Sequence, residues 1–469
     1  MSEAAIAGAA GSGKRTAGAA ITARSIPLAP ALIIAAYLVL EIVMFAHRDA
    51  WLDEAQAWSW ATTLADPADF LVVPGEGHPP LWFWVLRLLS LVVSFDQARL
   101  MTLGIAALNA VLLARYAGSN LVVLAFLLFS NIVLHSWGYE FRPYALLLTM
   151  TLVALELSRG RRHLAGAWVL AIACGFHFFA GFLFGLYLLV NWQRGLSFRS
   201  SIPPMLVGLS FGAMAVLSGL GTPAAEVSTA SWTRVLTRVF TDPFWLGSAP
   251  DWAVSGAVVL LAGFGLRNNL DVAWPLAAIT ALFLTFATLV YGVYAWHTAF
   301  LVVFLLMAFS LAGEKVPRWP LVLLLLPQIG FGLLRTGIEL SKPPYGAGPA
   351  VAIVREDAGP GFASERQLVA WPDTAMVAVA TSEGFDYLGA NGQRHLDTLN
   401  WRERDNEYLD IDLLATTPTP YWLICYYCDS PIIAINAAGR GAELVLAPPE
   451  DISFRPIHVY RIVAATPVR

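Results

Sequence analysis

The chain has 469 residues, of which 57% are hydrophobic and only 13% are charged, and its formal net charge is −4. Soluble domains carry about 25% charged residues, so this composition excludes an ordinary soluble protein. The charge balance also gives no basic field that would favour nucleic acid as a partner. The composition therefore predicts an integral membrane protein.

Residues 1–24 are small, polar and flexible, and we expect a disordered cytoplasmic tail. Apolar runs follow that are long enough, when packed among neighbours, to predict about eleven transmembrane helices. Together they predict an all-α polytopic membrane domain over residues 25–336. The runs are 26–46, 100–113, 121–134, 143–157, 164–176, 178–190, 204–220, 252–266, 272–291, 298–311 and 319–334.

A further apolar run, residues 79–95, is ambiguous between a span and a helix in the membrane interface. Basic clusters decide between the two, because Lys and Arg accumulate in cytoplasmic loops. If the run spans, the clusters RYAGSN, SRGRRH, QRGLSFRS, RNN and EKVPR all fall outside; if it is interfacial, all fall inside together with Lys14, Arg15 and Arg24. Its Pro-Pro start and the central Arg87 also favour the interface.

This topology predicts a cytoplasmic N-terminus, with the polar loops 47–97, 135–142, 221–251 and 294–297 outside. In a bacterial inner membrane, outside is the periplasm. After the linker SKPPYGAGPA the pattern predicts a small periplasmic α/β domain over 337–469. Its short apolar runs read as strands with intervening helices. They are LVAW, MVAVAT, YWLICYY, ELVLA and HVYRIV.

Two adjacent acids, Asp53 and Glu54 in WLDEAQAWSWA, stand just after the first span. Neighbours on a helix point about 100° apart, so the two acids need not share a role. A structural alternative is that Asp53 caps a short helix and Glu54 interacts with its dipole. Either a capping role or a chemical role fits the pair taken alone.

Other polar residues cluster on the same predicted outer side. His78 precedes two prolines in GEGHPPL, and Arg142 follows Glu140 in YEFRPY, at the N-terminus of a predicted span. A guanidinium there suits a phosphate, although a membrane-anchoring role paired with Glu140 is the alternative. His177 and His297 lie at outer helix ends, where a structural role in lining the mouth is equally open.

An acidic pair after the first span, GHPPL at an interfacial helix and an Arg-containing motif on a later outer loop resemble the GT-C superfamily of integral-membrane glycosyltransferases. The nearest likeness within it is to lipid A aminoarabinose transferase and the protein O-mannosyltransferases. The resemblance covers most of the first two hundred residues and is most specific in WLDEA and GHPPLW. It implies sugar transfer from a polyprenyl-phosphate donor to an acceptor hydroxyl outside the cytoplasm, with inversion.

The resemblance also implies site roles. The catalytic acid maps onto Asp53 with Glu54 beside it, the donor phosphate onto Arg142, His177 and His297, and acceptor or metal support onto His78, Glu140 and Tyr144. Some relatives bind a divalent cation, Mg or Mn, for which Asp53, Glu54 and His78 are the candidates here. The chain lacks an Asp-x-Asp pair and has Glu140 where an Asp would make a metal more compelling.

Two other function classes compete with the transferase. A transporter or flippase of lipid-linked saccharides would place polar residues deep in several spans, whereas these spans are mostly apolar. An assembly protein would leave WLDEA and GHPPLW without a purpose. The partners implied are a polyprenyl-phosphate sugar, membrane lipids, and a lipid, polysaccharide or protein acceptor; the sequence specifies neither sugar nor acceptor. Cys425 and Cys428 form either a structural disulfide or a free pair, and Cys174 reads as a core residue.

Overall fold

The fold is described from a computed structural model. It describes residues 27–64, 66–73, 76–220, 251–289, 295–313, 316–341, 347–390, 409–426, 428–447 and 457–464. The predicted tail 1–24 and nearly all of the predicted outer loop 221–251 lie outside these ranges.

The N-terminal two thirds of the described chain are helical, because long apolar runs satisfy their backbone hydrogen bonds within each helix. A π-helical segment, Ile132–Tyr139, follows α6. The helices are α1 Leu28–His47, α2 Leu52–Thr63, α3 Leu81–Ser90, α4 Phe95–Arg99, α5 Met101–Ala117, α6 Leu121–Leu128, α7 Tyr144–Arg159, α8 His163–Ala173, α9 Ala180–Gln193, α10 Phe198–Gly219, α11 Asp251–Leu266, α12 Leu270–Leu289, α13 Ala295–Ala312 and α14 Trp319–Leu340.

Long apolar helices confirm a membrane-embedded protein. Among the described residues, five helices are long and apolar enough to cross a membrane, or six if the pair Leu121–Leu128 and Ile132–Tyr139, bent by 57°, counts as one span. Each of the eleven predicted runs overlaps one of the helices or this pair, but several helices are shorter than a span, so the count of eleven is not confirmed. The five are Leu28–His47, Phe95–Ala117, Phe198–Gly219, Leu270–Ala287 and Trp319–Leu340.

The ambiguous run 79–95 forms the ten-residue helix α3, about 15 Å long and too short to cross a bilayer alone. Trp82 and Phe83 are buried against the protein, whereas Leu88 and Leu91 are exposed. Arg87 donates to the carbonyl oxygen of Thr62 at 2.6 Å, at the end of α2. These features support an interfacial helix that the Arg87 hydrogen bond holds against α2.

The C-terminal part contains one mixed sheet in the order β2-β1-β3-β5-β4. β1 pairs in parallel with β2 and β3, and β5 pairs antiparallel with β3 and β4. The small C-terminal sheet is therefore confirmed. Its strands are β1 Leu368–Trp371, β2 Leu388–Gly389, β3 Tyr421–Cys425, β4 Gly441–Leu446 and β5 His458–Val463; short helices flank them: α15 Gly348–Ala358, α16 Ser364–Gln367, the 3-10 turn Asp373–Ala375, α17 Val377–Glu383, α18 Ile411–Thr416 and α19 Asp429–Ala437.

One predicted strand was wrong. The run MVAVAT forms α17 instead, because its alanines favour a helix and Gly384 ends it in the left-handed conformation, φ +69°. Val377 and Val379 are buried. α17 packs against α2, the helix that carries Asp53 and Glu54, so tertiary burial takes this segment away from the sheet.

Three further predictions concern the domain boundary and the cysteines. The helix α14 continues to Leu340, beyond the predicted domain boundary at residue 336. Cys425, at the end of β3, forms a disulfide with Cys428, three residues later. The two Cα atoms are 5.4 Å apart. The free Cys174 is buried, as its predicted core role requires.

Candidate active site

The helix α2 begins directly after the first membrane helix and carries both opening acids in its first turn. Its N-cap is Trp51, so the alternative that Asp53 caps the helix was wrong; Asp53 occupies the second helical position and Glu54 the third. Consecutive helical positions diverge by about 100°. The two acids consequently face different partners.

Asp53 pairs with Arg142. The carboxylate Oδ2 and the guanidinium Nη1 are 2.6 Å apart, and both side chains are partly exposed, at 27% and 14%. Arg142 also lies 5.6 Å from the ring centroid of Tyr144, at the N-terminus of α7. The structure therefore joins the predicted base and the predicted phosphate-binding cation, 89 positions apart in the sequence, in one pair.

Glu54, by contrast, is 1% exposed, and its carboxylate connects several segments of the chain. One oxygen accepts from the Phe141 amide at 3.0 Å and lies 3.8 Å from Arg48; the other accepts from the Trp51 amide at 3.1 Å and lies 3.4 Å from Arg99. These contacts tie α2 to the loop before α7 and to the ends of α1 and α4. Glu54 was predicted beside Asp53 in catalysis, and the geometry gives it a positioning role.

Replacing Glu54 with Gln should destabilise the protein by roughly 3 kcal/mol, because it leaves Arg48 and Arg99 poorly paired in a mostly buried site. The measurement is the thermal unfolding midpoint of purified protein in lipid nanodiscs. Glu156→Gln is the matched control: its pair with Arg159 is over a third exposed, so about 0.5 kcal/mol or less is expected. Equal midpoints for wild type and Glu54→Gln would contradict the role of Glu54.

Three histidines from different elements meet beside Arg142 and Tyr144. The ring centroids of His78 and His177 are 5.3 Å apart, those of His177 and His297 are 5.8 Å apart, and Tyr144 lies 5.2 Å from His177. His177 and His297 are almost completely buried. Five residues that the sequence scatters between 78 and 297 thus come together, as the predicted roles require.

Hydrogen bonds assign different protonation to two of these rings. His78 Nδ1 lies 2.7 Å from the Glu76 carbonyl oxygen, which can only accept, so Nδ1 carries the proton and Nε2 is an acceptor. In His177 the Nδ1 atom accepts from the Phe179 amide, which leaves the proton on Nε2. Both Nε2 atoms are buried and have no hydrogen-bond partner among the described residues. The site therefore offers one free acceptor and one free donor.

The environment keeps His78 neutral. Burial, reinforced by the positive charge of Arg142, lowers the pKa of His78 to about 4. Its imidazole is therefore uncharged at neutral pH and can accept a hydrogen bond from a hydroxyl group.

Glu76 is a site residue that the sequence interpretation missed. It accepts a 2.6 Å hydrogen bond from Gln56, one turn after Asp53 on α2. Burial raises its pKa to about 7; the charge of Asp53 raises it further, and the Gln56 hydrogen bond and Arg142 oppose the shift. The available signal was its place two residues before His78 in the quoted motif GEGHPPL.

Glu140 lies at the edge of the cluster rather than inside it. Its carboxylate is 3.7 Å from Arg48, and burial raises the pKa of Glu140 to about 7 against the opposing charge of that arginine. Arg48 bridges Glu140 to Glu54. Glu140 therefore belongs with the Glu54 network, and the structure gives it no direct contact with Asp53.

The proposed metal ligands do not assemble. In the ranges that the structure describes, no group of three or more His, Cys, Asp or Glu side chains is placed to hold a metal ion. Both Glu54 oxygens are engaged by backbone amides and arginines, so Asp53, Glu54 and His78 do not form a common coordination sphere. The arrangement fits a site built on Arg142 and neutral imidazoles.

Glu41 is a second acid that the sequence interpretation missed, inside the first apolar run. Its side chain is fully buried in α1, beside Tyr37, one turn earlier. A Cβ atom on Gly138 would meet its oxygens at 2.7 and 2.8 Å, so glycine there allows the π-helical segment to approach the carboxyl group. The first apolar helix therefore contains a buried carboxyl group that its overall composition does not reveal.

Comparison with known proteins adds no family assignment, because no protein-family model and no curated protein matches this sequence.

Proposed function

We propose that this protein is a membrane glycosyltransferase that moves a sugar from a polyprenyl-phosphate donor to an acceptor hydroxyl. The observation that carries the proposal is the 2.6 Å pair of Asp53 and Arg142, at the helix ends where three imidazoles also meet. A carboxylate and a cation side by side match the two demands of the reaction, a base for the acceptor and a countercharge for the leaving phosphate.

The step balances as a single inverting displacement. The Asp53 carboxylate takes the proton of the acceptor hydroxyl while that oxygen bonds to the sugar C1 atom. The bond from C1 to the phosphate oxygen breaks, and the polyprenyl phosphate leaves with its electron pair. Arg142 binds the negative charge that develops on that phosphate, which needs no proton to leave.

The two free imidazole nitrogens suit different parts of such a donor. The Nε2–H of His177 can donate to a phosphate oxygen, and the Nε2 atom of His78 can accept from a hydroxyl of the sugar or acceptor. His297 and Tyr144 complete the wall beside them. This division retains the predicted roles of His177 and His78.

The orientation belongs to the same proposal. Helices α5, α7, α9 and α13 each have their N-terminal end near the site, and basic residues concentrate at their other ends. By the positive-inside rule the basic ends are cytoplasmic and the site is extracytoplasmic. We place eleven spans across the bilayer of a bacterial inner membrane, the shorter helices crossing in contact with their neighbours, with the C-terminal domain in the periplasm.

The deciding experiment incubates purified protein in nanodiscs with a panel of radiolabelled polyprenyl-phosphate sugars and an envelope lipid and polysaccharide extract as acceptor. Transfer of label from one donor to an acceptor, with release of polyprenyl phosphate, is expected. No turnover of any donor by protein that remains folded after reconstitution into native lipid would count against a transferase.

Glu76 should make donor use depend on pH near neutrality. Its carboxyl group is neutral below about pH 7 and ionised above it, and the added negative charge faces Asp53, Gln56, His78 and Arg142. Donor phosphate is then repelled, so the donor KM should rise roughly tenfold as pH passes upward through 7.

The measurement is donor KM from pH 5.5 to 8.5 in wild type and in Glu76→Gln, whose profile should lose the inflection. Glu140→Gln is the matched control, because the pKa of Glu140 is also about 7 but its carboxylate pairs with Arg48. An inflection that disappears in Glu140→Gln and persists in Glu76→Gln would assign the pH dependence to the other acid.

Glu41 is the specific observation that favours the rival function, transport of a lipid-linked saccharide, since buried acids in membrane helices often line pathways. Not every buried polar group belongs to such a path: Asn109 donates to the Ala145 carbonyl oxygen and accepts from the Thr149 hydroxyl. Reconstituted vesicles separate the two functions. A transporter moves the labelled donor unchanged between leaflets, whereas a transferase leaves label on the acceptor.

A further inference from the structure

A cavity of about 310 Å³ lies at the opposite end of the helices from Asp53. We call it the arginine pocket, lined among others by Tyr116, Arg159, Phe309, Ser310, Arg318 and Leu321. Its volume is in the lower range of pockets that hold small ligands.

Helix geometry places this pocket far from the proposed active site. In α7, Tyr144 is at one end and Arg159 at the other, roughly 22 Å away at 1.5 Å per residue. In α13, His297 lies near the start and Ser310 near the end. The same two helices thus present a histidine and tyrosine cluster at one membrane face and the arginine pocket at the other.

The charges in the pocket favour an anion. Arg159 is balanced by Glu156 at 2.6 Å, but Arg318 has no carboxylate partner in the part of the chain that the structure describes. Arg318 is held by the Ala117 carbonyl oxygen, which accepts from its Nη1 at 2.5 Å, so the rest of its guanidinium remains for a ligand. Among the residues that the structure describes, the pocket lining therefore carries an unbalanced positive charge on a fixed side chain.

The other lining groups add hydrogen-bond donors to the pocket. Arg159 lies 5.7 Å from the Tyr116 ring centroid, and its Nη2 is 3.5 Å from the Ser310 hydroxyl. Two guanidinium groups and a hydroxyl on converging helix ends provide forked donors that phosphate oxygens accept.

An apolar face of α14 begins beside Arg318 in the sequence. Trp319, Leu323 and Leu326 are 48%, 44% and 51% exposed and follow this face at helical spacing, on the other side of the helix from the pocket-lining Leu321. A ligand with a phosphate at the pocket and hydrocarbon along this face satisfies both features. A soluble phosphate satisfies only the first.

We propose that the arginine pocket binds the phosphate headgroup of an anionic phospholipid in the cytoplasmic leaflet, with acyl chains along α14. The location follows from the proposed orientation, because the basic helix ends face the leaflet that carries anionic lipid. The lipid is a structural or regulatory ligand, separate from the polyprenyl-phosphate substrate at the other face.

The test is native mass spectrometry of the purified full chain titrated with phosphatidylglycerol, with phosphatidylcholine as the neutral comparison. One tightly held phosphatidylglycerol is expected on wild type. Arg318→Gln should weaken this binding about tenfold, and Arg318→Lys should weaken it less because it keeps the charge. Arg199→Gln is the matched control: Arg199 is an exposed cation near the start of α10, at the same proposed membrane face and outside the pocket.

A second variant protects the test against misfolding. Ser310→Leu leaves both arginines and fills the pocket, so it should also weaken binding about tenfold while the unfolding midpoint stays close to wild type. Equal retention in wild type, Arg318→Gln and Ser310→Leu would overturn the proposal, as would an equal loss in Arg199→Gln. Displacement of the lipid by millimolar inorganic phosphate would overturn the lipid as ligand and assign the pocket to a soluble phosphate.

Discussion

Replacing Asp53 with Asn should lower the turnover number about 10³-fold, the range that a positioned general base contributes. Asparagine keeps the size of the side chain and can still accept from Arg142, so folding should persist. Donor KM should stay the same or fall, because the Arg142 guanidinium no longer has a carboxylate competing with the donor phosphate. The measurement is steady-state transfer with the donor identified in the panel, after gel filtration and thermal unfolding confirm the fold.

Asp96→Asn is the matched control for the base. Asp96 is an acid of the same segment between α1 and α5, 53% exposed, that pairs with Arg99 at 3.8 Å and accepts a hydrogen bond from Ser382. Its substitution should leave turnover within about twofold of wild type, since surface pairs contribute little. Retained turnover in folded Asp53→Asn would eliminate Asp53 as base and leave it only a partner of Arg142.

Replacing Arg142 with Ala should raise donor KM about 100-fold and leave acceptor KM nearly unchanged. The estimate corresponds to the 1.5–3 kcal/mol of charged hydrogen bonds lost to a phosphate. Because the cation also stabilises the leaving group, turnover should fall as well. The measurement is a full two-substrate kinetic analysis, in which the donor and acceptor constants are resolved separately.

Arg142→Lys distinguishes charge from geometry, since lysine keeps the charge without the planar fork and should recover only part of the donor affinity. Arg355→Ala is the control at an exposed pair with Glu383 in the C-terminal domain, and should behave as wild type. If Arg142→Ala changed the donor and acceptor constants equally, Arg142 would be holding the fold rather than the phosphate.

Much of the helical architecture could be predicted from the sequence, because membrane helices are recognisable as long runs of apolar residues. All eleven runs overlap helices, and LVAW, YWLIC and HVYRIV form strands. The run MVAVAT could not be assigned correctly, since its apolar residues suit either a strand or a helix and only its contact with α2 decides. The number of complete crossings also depends on helix packing and tilt, which periodicity does not encode.

The candidate site could also be predicted in part, because polar residues stand out between apolar runs. Asp53, Arg142 and the three histidines were identifiable as polar residues on one predicted side, but their pairing required folded loops. Glu54 has a different role from Asp53 because it pairs with Arg48 and Arg99. These arginines lie in a loop and a short helix and belong to no motif. Glu41 was hidden by the apolar residues around it.

The packing of α17 on α2 makes the C-terminal domain a support for the helix that carries Asp53. Val377 and Val379 of α17 are buried, so residues from the far end of the chain cover part of the surface around α2. A fragment that ends after Leu340 would expose apolar surface on α2 beside Asp53. The proposed site is therefore complete only when the C-terminal domain has packed onto the first loop.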